Sequence, residues 1–283
     1  MSKHQIDQII TLALKEDIGK QDVTTNIFIP KSMISDAYIV IHQKATIVGF
    51  DIVKTIFKKL DKNVKITSYF KDGDVIKPEV RIIKLRGKTR ALLTGERIAL
   101  NFLSHLSAIA TNTTEFVNAV KPYKVKILDT RKTTPGLRFL EKLAVRKANG
   151  VNHRLNLGEM VLIKDNHHIA CPQMPTKDML AKARRRTKKI ITVEVEDLNH
   201  FKEAWLARPD IILLDNMNLA QIRKAVSFGK KNQYKGKNPE LEISGGVNLH
   251  NVRSYAQTGV ERISIGALTH TKKSINVSME ITY

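Results

Sequence analysis

From residue 124 onward, short apolar runs alternate with amphipathic stretches, and that order leaves few folds open. The runs are VKILDT (125–130), MVLIKD (160–165), IITVEVE (190–196), IILLDN (211–216), LEISGG (241–246) and RISIGA (262–267). Between them, residues 136–149, 175–187, 198–207, 218–229 and 248–258 carry helical apolar spacing. A strand apolar on both faces must be covered on both faces, so parallel strands with crossover helices are predicted. Six such units read clearly, with room for a weaker one. They fit a closed or nearly closed β/α barrel, or else an open doubly wound sheet.

The residues before this region read differently. Residues 3–16 have helical spacing, 16–25 (EDIGKQDVTT) form a polar loop, and 36–49 look like a hairpin of alternating strands. Residues 51–60 are an amphipathic helix, 64–70, 74–76 and 80–87 are strands with KDGD as a turn, and 89–119 read as long helical sequence. Strands and helices without strict alternation predict an α+β domain. The expected division is a first domain over residues 1–115 and a barrel over 116–270. The last segment, 271–283, is expected to return and pack on the first domain or the barrel.

In a β/α barrel the chemistry sits where the strands end. The first strand ends in Asp129, Thr130, Arg131 and Lys132; the second in Lys164, Asp165, Asn166, His167 and His168. The third carries Glu194 and Glu196, and the fourth ends in Asp215 and Asn216. The fifth ends in Ser244, Gly245 and Gly246, and the sixth in Gly266 and Ala267. Arg138, His153 and Arg154 add cations between the first two strands. Each group has an innocent explanation by itself. Asp129 or Asp215 could cap a helix, Lys164 could guard a sheet edge, Gly245–Gly246 could be a tight turn, and a lone histidine is usually structural. Agreement across separate strands argues instead for one pocket that takes a small, densely anionic substrate. Paired glycines before a helix N-terminus can cradle a phosphate. Glu194 and Asp215 on neighbouring strands could hold Mg²⁺ together with waters. Such a site reads as group transfer at a phosphorylated sugar. There is no zinc-ligand spacing, no GxGxxG and no GxxxxGK[ST].

The formal net charge is +21, from 48 Lys and Arg against 27 Asp and Glu. A nucleic-acid-binding protein would carry this charge as a stripe with stacking aromatics. Aromatics are only 6% here, and the basic runs at 182–189 and 229–237 fall at helix ends. A solvated basic surface around an anion site fits better, with no nucleic acid as partner. Cys171 is the single cysteine, which excludes an intramolecular disulfide and points to the reducing cytoplasm. No signal peptide is apparent, and no apolar run reaches the roughly 18 residues of a membrane span.

At these residues the chain closely resembles the quinolinate phosphoribosyltransferase family, nearly end to end. The resemblance rests on EDIGKQDVTT, GERIALNFLSHLSAIAT, LDTRKTTPGLR, GVNHR, MVLIKDNH, the VEVE strand, LLDNM, ISGG and IGALTH, in the family's order. It implies an N-terminal α/β sandwich domain plus a C-terminal incomplete β/α barrel. It implies transfer of phosphoribosyl from phosphoribosyl pyrophosphate to quinolinate with decarboxylation, giving nicotinate mononucleotide for NAD biosynthesis. Mg²⁺ is the implied cofactor, and a homodimer with shared active sites, which assembles further in some members, is the implied state. Carried over by motif, Arg131, His153, Arg154 and Lys164 hold the two carboxylates, and Arg97 reaches the neighbouring subunit's site. Lys132 lies between substrate and pyrophosphate. Glu194 and Asp215 hold the ribose hydroxyls and Mg²⁺. Ser244, Gly245, Gly246 and Gly266 take the 5′-phosphate, with His270 close by. The chain departs from the family at KANG (147–150), usually richer in glycine, and at Ala108, where glycine is common. A paralogous phosphoribosyltransferase of the molybdenum-locus type would be expected to alter the dicarboxylate clamp, which is complete here.

Overall fold

The computed structural model describes residues 3–271 and 273–282, so Lys272 and Tyr283 of the final segment lie outside the described residues. The chain forms two compact units. One contains residues 1–114, 135–149 and 272–283, and the other 115–134 and 150–271.

In chain order the first unit holds α1 (Lys3–Ile18), α2 (Val23–Phe28), β1 (Ile34–Ile41), β2 (Ala45–Thr46), α3 (Phe50–Leu60), β3 (Lys65–Ser68), β4 (Val75–Ile76) and β5 (Val80–Lys88). The long α4 (Thr89–Ala119) follows. In β1, buried Ala37, Ile39 and Ile41 alternate with partly exposed Asp36 and Tyr38, as a strand with one covered face should. Between Ile39 and Val40 the partner on β5 shifts from Ile83 to Arg81, leaving Ile82 as the extra residue, and Val40 is buried as well. In α3, Ile52, Val53, Ile56 and Phe57 make the buried face. The Asp72 carboxylate accepts the N–H groups of Gly49 and Phe50 at its N-terminus.

Two expectations for this unit are corrected. Residues 36–49 are not a hairpin: β1 is flanked by β5 and by β12 (Val277–Thr282), so Ala45–Thr46 has no free edge and pairs with β4 instead. Nor is EDIGKQDVTT a plain loop. α1 runs to Ile18, and Asp22 caps α2 by accepting the Thr25 N–H at 3.0 Å and the Thr94 hydroxyl at 2.9 Å. Residues 135–149, which carry α5 (Arg138–Lys147), group with this unit rather than with the strands that flank them in sequence.

The second unit is a β/α array. Its elements are β6 (Lys126–Leu128), β7 (Val161–Ile163), α6 (Asp165–Ala170), α7 (Thr176–Arg186), β8 (Ile191–Val195), α8 (Leu198–Ala207), β9 (Ile211–Asp215), α9 (Leu219–Lys231), β10 (Glu240–Ser244), α10 (Val252–Ala256), β11 (Arg262–Ser264) and α11 (Ala267–His270). The six strands are parallel, in the order β6-β11-β10-β9-β8-β7. The first strand thus lies beside the last. That is a ring order, and it excludes the doubly wound alternative, whose strand order reverses at a switch point. Val151 also bridges Leu128 of β6 in parallel. No helix among the described residues is long and apolar enough to cross a membrane.

Candidate active site

A cavity of about 700 Å³ opens where the six strands end, and all its lining residues belong to the second unit. It collects the sequence-predicted residues from every strand: Arg131 and Lys132 after β6, Lys164 after β7, Glu194 on β8, Asp215 on β9, Ser244, Gly245 and Gly246 at the end of β10, Gly266 and His270 after β11, with His153 and Arg154 from the loop beyond β6. Arg97 is the exception. It lies exposed on α4, among the residues of the first unit. Glu196 is exposed beyond the end of β8, and neither it nor Arg138 nor His168 is among the lining residues.

The cationic side is braced by Asp129, a buried carboxylate that the sequence allowed to be a helix cap. Its oxygens accept the His153 backbone N–H at 2.8 Å and the Asn152 amide at 2.6 Å. It ties the GVNHR loop to β6, which explains why two distant motifs meet. Arg154 is held below its ordinary pKa, first by burial and then by the charge of Arg131. Two guanidinium groups that repel each other are suited to take an anion between them. Lys164 leaves the end of β7, where the His167 ring accepts its backbone N–H at 3.0 Å. Its ammonium donates to Glu194 at 2.7 Å. Burial pushes the Glu194 carboxyl up; Lys164 opposes this and Asp215 adds to it.

His153 is placed in a specific way. Its Nδ1 accepts the Arg154 backbone N–H at 2.9 Å, and its Nε2 stands 3.3 Å from Glu242 Oε1. Glu242 is fully buried, and its Oε2 accepts Arg262 Nε–H at 2.7 Å. Sequence reasoning missed Glu242, although a carboxylate two residues before Ser244 falls on the same face of β10.

The opposite side is shaped by glycines. Gly245 has φ 91°, and a Cβ there would overlap the Asn216 side chain. Asn216 is itself left-handed, at φ 52°; its amide donates to Asp215 at 2.7 Å and its backbone N–H to Ser244 O at 2.9 Å. A Cβ on Gly266 would meet Lys132 Cδ and His270 Nε2, each at 3.0 Å, so bare backbone here lets these two side chains close in. The Thr269 hydroxyl donates to Lys132 O at 2.6 Å and fixes the loop that carries Lys132. Thr130 and Asn216, both read from the sequence at strand ends, also line the cavity, as does Ser264, which was not singled out.

The cavity therefore has a cationic pole, a glycine pole and two carboxylates between them. No group of three or more His, Cys, Asp or Glu among the described residues is placed to hold a metal ion. Glu194 and Asp215, on adjacent strands, fit an ion taken mainly by ligand oxygens and water, as Mg²⁺ is.

Comparison with known proteins agrees over the whole chain. The family model described as quinolinate phosphoribosyl transferase, N-terminal domain, matches residues 22–107, and that of the C-terminal domain matches 109–280. A probable nicotinate-nucleotide pyrophosphorylase (carboxylating) from Bacillus subtilis is 39% identical, covering 100% of this chain and 95% of its own. A nicotinate-nucleotide pyrophosphorylase (carboxylating) from Mycobacterium leprae is 36% identical over 96% of this chain and 95% of its own. The solved nicotinate-nucleotide pyrophosphorylase from Francisella tularensis superposes with a TM-score of 0.93 at 33% identity, covering 100% of this chain and 98% of the other.

Proposed function

The chain belongs to the quinolinate phosphoribosyltransferase family, and on that premise we propose how its cavity carries phosphoribosyl from phosphoribosyl pyrophosphate to quinolinate, releasing pyrophosphate and CO₂ and leaving nicotinate mononucleotide. The observation that carries the assignment of the site is that Arg131, Arg154 and Lys164 line one cavity, with the charges of the two arginines felt by each other. Quinolinate presents two adjacent carboxylates on a flat ring, and forked guanidinium groups match such a diacid better than point charges do. The clamp fixes the ring so that its nitrogen faces the anomeric carbon, which removes orientational entropy from the transfer step.

The 5′-phosphate belongs on the glycine pole, where the backbone at Gly245, Gly246 and Gly266 allows close approach, with Ser244 and His270 beside it. As the ring nitrogen attacks and pyrophosphate departs, positive charge develops on the ribose. Glu194 and Asp215 face that charge from β8 and β9, and Lys132 faces the departing oxygens. Mg²⁺, held by Glu194, Asp215 and the substrate's oxygens, would supply further charge neutralisation on the pyrophosphate. Once ribosylated, the ring nitrogen is cationic. Loss of CO₂ from the adjacent carbon leaves an electron pair that this cation stabilises, and a proton then takes the place of the carboxylate. No side chain need become covalently attached.

Arg97 enters the reading from a second copy. It is exposed on α4 and outside the cavity lining, so in a homodimer it is free to complete the partner's clamp, and further assembly of such dimers is compatible with the chain. The net charge of +21 suits capture of two polyanionic substrates, and the single exposed Cys171 suits the cytoplasm. The test is a product balance. With quinolinate, phosphoribosyl pyrophosphate and Mg²⁺, pyrophosphate and CO₂ should appear in equal amounts. Pyrophosphate release with nicotinate but not with quinolinate would assign the site to a different acceptor.

A further inference from the structure

We infer that Glu242 is a positioning residue for the dicarboxylate clamp: it holds the Nε2 side of the His153 ring, and so keeps Nδ1 as the acceptor that pins the backbone of Arg154. This rests on the quinolinate reading of the clamp and deepens it.

A neutral imidazole has one donor nitrogen and one acceptor nitrogen. The Arg154 backbone N–H points at His153 Nδ1 from 2.9 Å, so that nitrogen is the acceptor and the proton sits on Nε2. Nε2 faces Glu242 Oε1 at 3.3 Å, and the side chains of His153 and Glu242 are 8% and 0% exposed. Arg262 occupies the other oxygen through Nε at 2.7 Å and reaches Glu240 through Nη1 at 3.2 Å. Oε1 makes no hydrogen bond among the described residues, and His153 Nε2, at 3.3 Å, is the polar group that approaches it. A fully buried carboxylate oxygen is costly unless a donor faces it, and the His153 Nε2–H is the donor within reach. Glu242 and Ser244 share the inward face of β10, so the carboxylate lies two residues below the phosphate pole and out of reach of solvent.

The arrangement changes the part played by His153. With both ring nitrogens turned to protein groups, the ring offers no N–H to the substrate. The carboxylates of quinolinate are taken by Arg131, Arg154 and Lys164, and His153 acts by fixing where the Arg154 side chain starts.

The test uses the difference between two acceptor oxygens and one. In Glu242→Gln the single amide oxygen cannot serve both Arg262 and His153. If it stays with Arg262, the amide N–H groups face His153 Nε2 and drive the ring proton to Nδ1, against the Arg154 N–H. KM for quinolinate is expected to rise about tenfold or more, while KM for phosphoribosyl pyrophosphate stays within about twofold. Adding Arg262→Met frees the amide oxygen to turn to His153 and is expected to restore most of the quinolinate KM. An equal rise in both KM values, or no recovery in the folded double variant, overturns the inference.

A second measurement needs no variant of Glu242. The ¹⁵N resonances of the His153 ring, assigned by their loss in His153→Gln, should report a neutral ring protonated on Nε2 with and without quinolinate. A ring protonated on Nδ1, or on both nitrogens, overturns the inference. These resonances are read in the resting protein. Wild-type protein that fails to turn over quinolinate would therefore sink the functional reading separately.

Discussion

Arg131→Ala is expected to remove nearly all quinolinate turnover while leaving the fold as stable as before. Arg131 lines the cavity together with Arg154 and Lys164. Truncating one member of a charge-paired clamp costs about 4 kcal/mol, roughly a thousandfold in kcat/KM. The loss should fall on quinolinate, with phosphoribosyl pyrophosphate binding retained at the glycine pole. Thermal unfolding should give the opposite result to activity. Arg131 is exposed, and its charge works against that of Arg154 in the unliganded site. Removing it should leave Tm unchanged or slightly raised. Arg131→Lys restores charge without the fork and should recover only part of the activity. Unaltered quinolinate kinetics in Arg131→Ala would place the diacid elsewhere.

The second large effect concerns Arg97. Arg97→Ala alone and Arg131→Ala alone should both be nearly inactive. When the two are unfolded together and refolded, or coexpressed, about half of the dimers are hybrids. Each hybrid then has one site with Arg131 from one copy and Arg97 from the other, so about a quarter of wild-type activity should return. If Arg97 acted within its own chain, every site in the mixture would lack one arginine. Hybrids shown to form without any recovery would therefore remove the shared-site proposal and leave the chemistry of the cavity untouched.

Much of the second unit was legible because its strands are short, apolar and separated by amphipathic helices, and because residues at strand ends face one mouth. Period two then places Lys164, Glu194 and Asp215 on the lining, and they are found there. The strand spacing alone left a ring and an open doubly wound sheet both possible; the family resemblance implied the barrel, and β6 beside β11 agrees with it. The hairpin was misread because which edges of β1 are free depends on β12, contributed by the far end of the chain. Residues 135–149 have helical spacing, and α5 forms there, but spacing does not reveal which unit a helix joins. In the site, LDTRK and GVNHR could be recognised separately, while the Asp129 hydrogen bonds that join them required coordinates. Glu242 escaped notice because its partners, His153 and Arg262, come from other segments and it lies below the strand end where the chemistry was sought.

The most direct measurement is a structure of the protein with phosphoribosyl pyrophosphate and benzene-1,2-dicarboxylate, which keeps the adjacent carboxylates but lacks the attacking nitrogen. The diacid is expected against Arg131, Arg154 and Lys164, with the 5′-phosphate at Gly245, Gly246 and Gly266 in the same cavity. A diacid bound away from the two guanidinium groups, or a phosphate seated on them in its place, would contradict the arrangement.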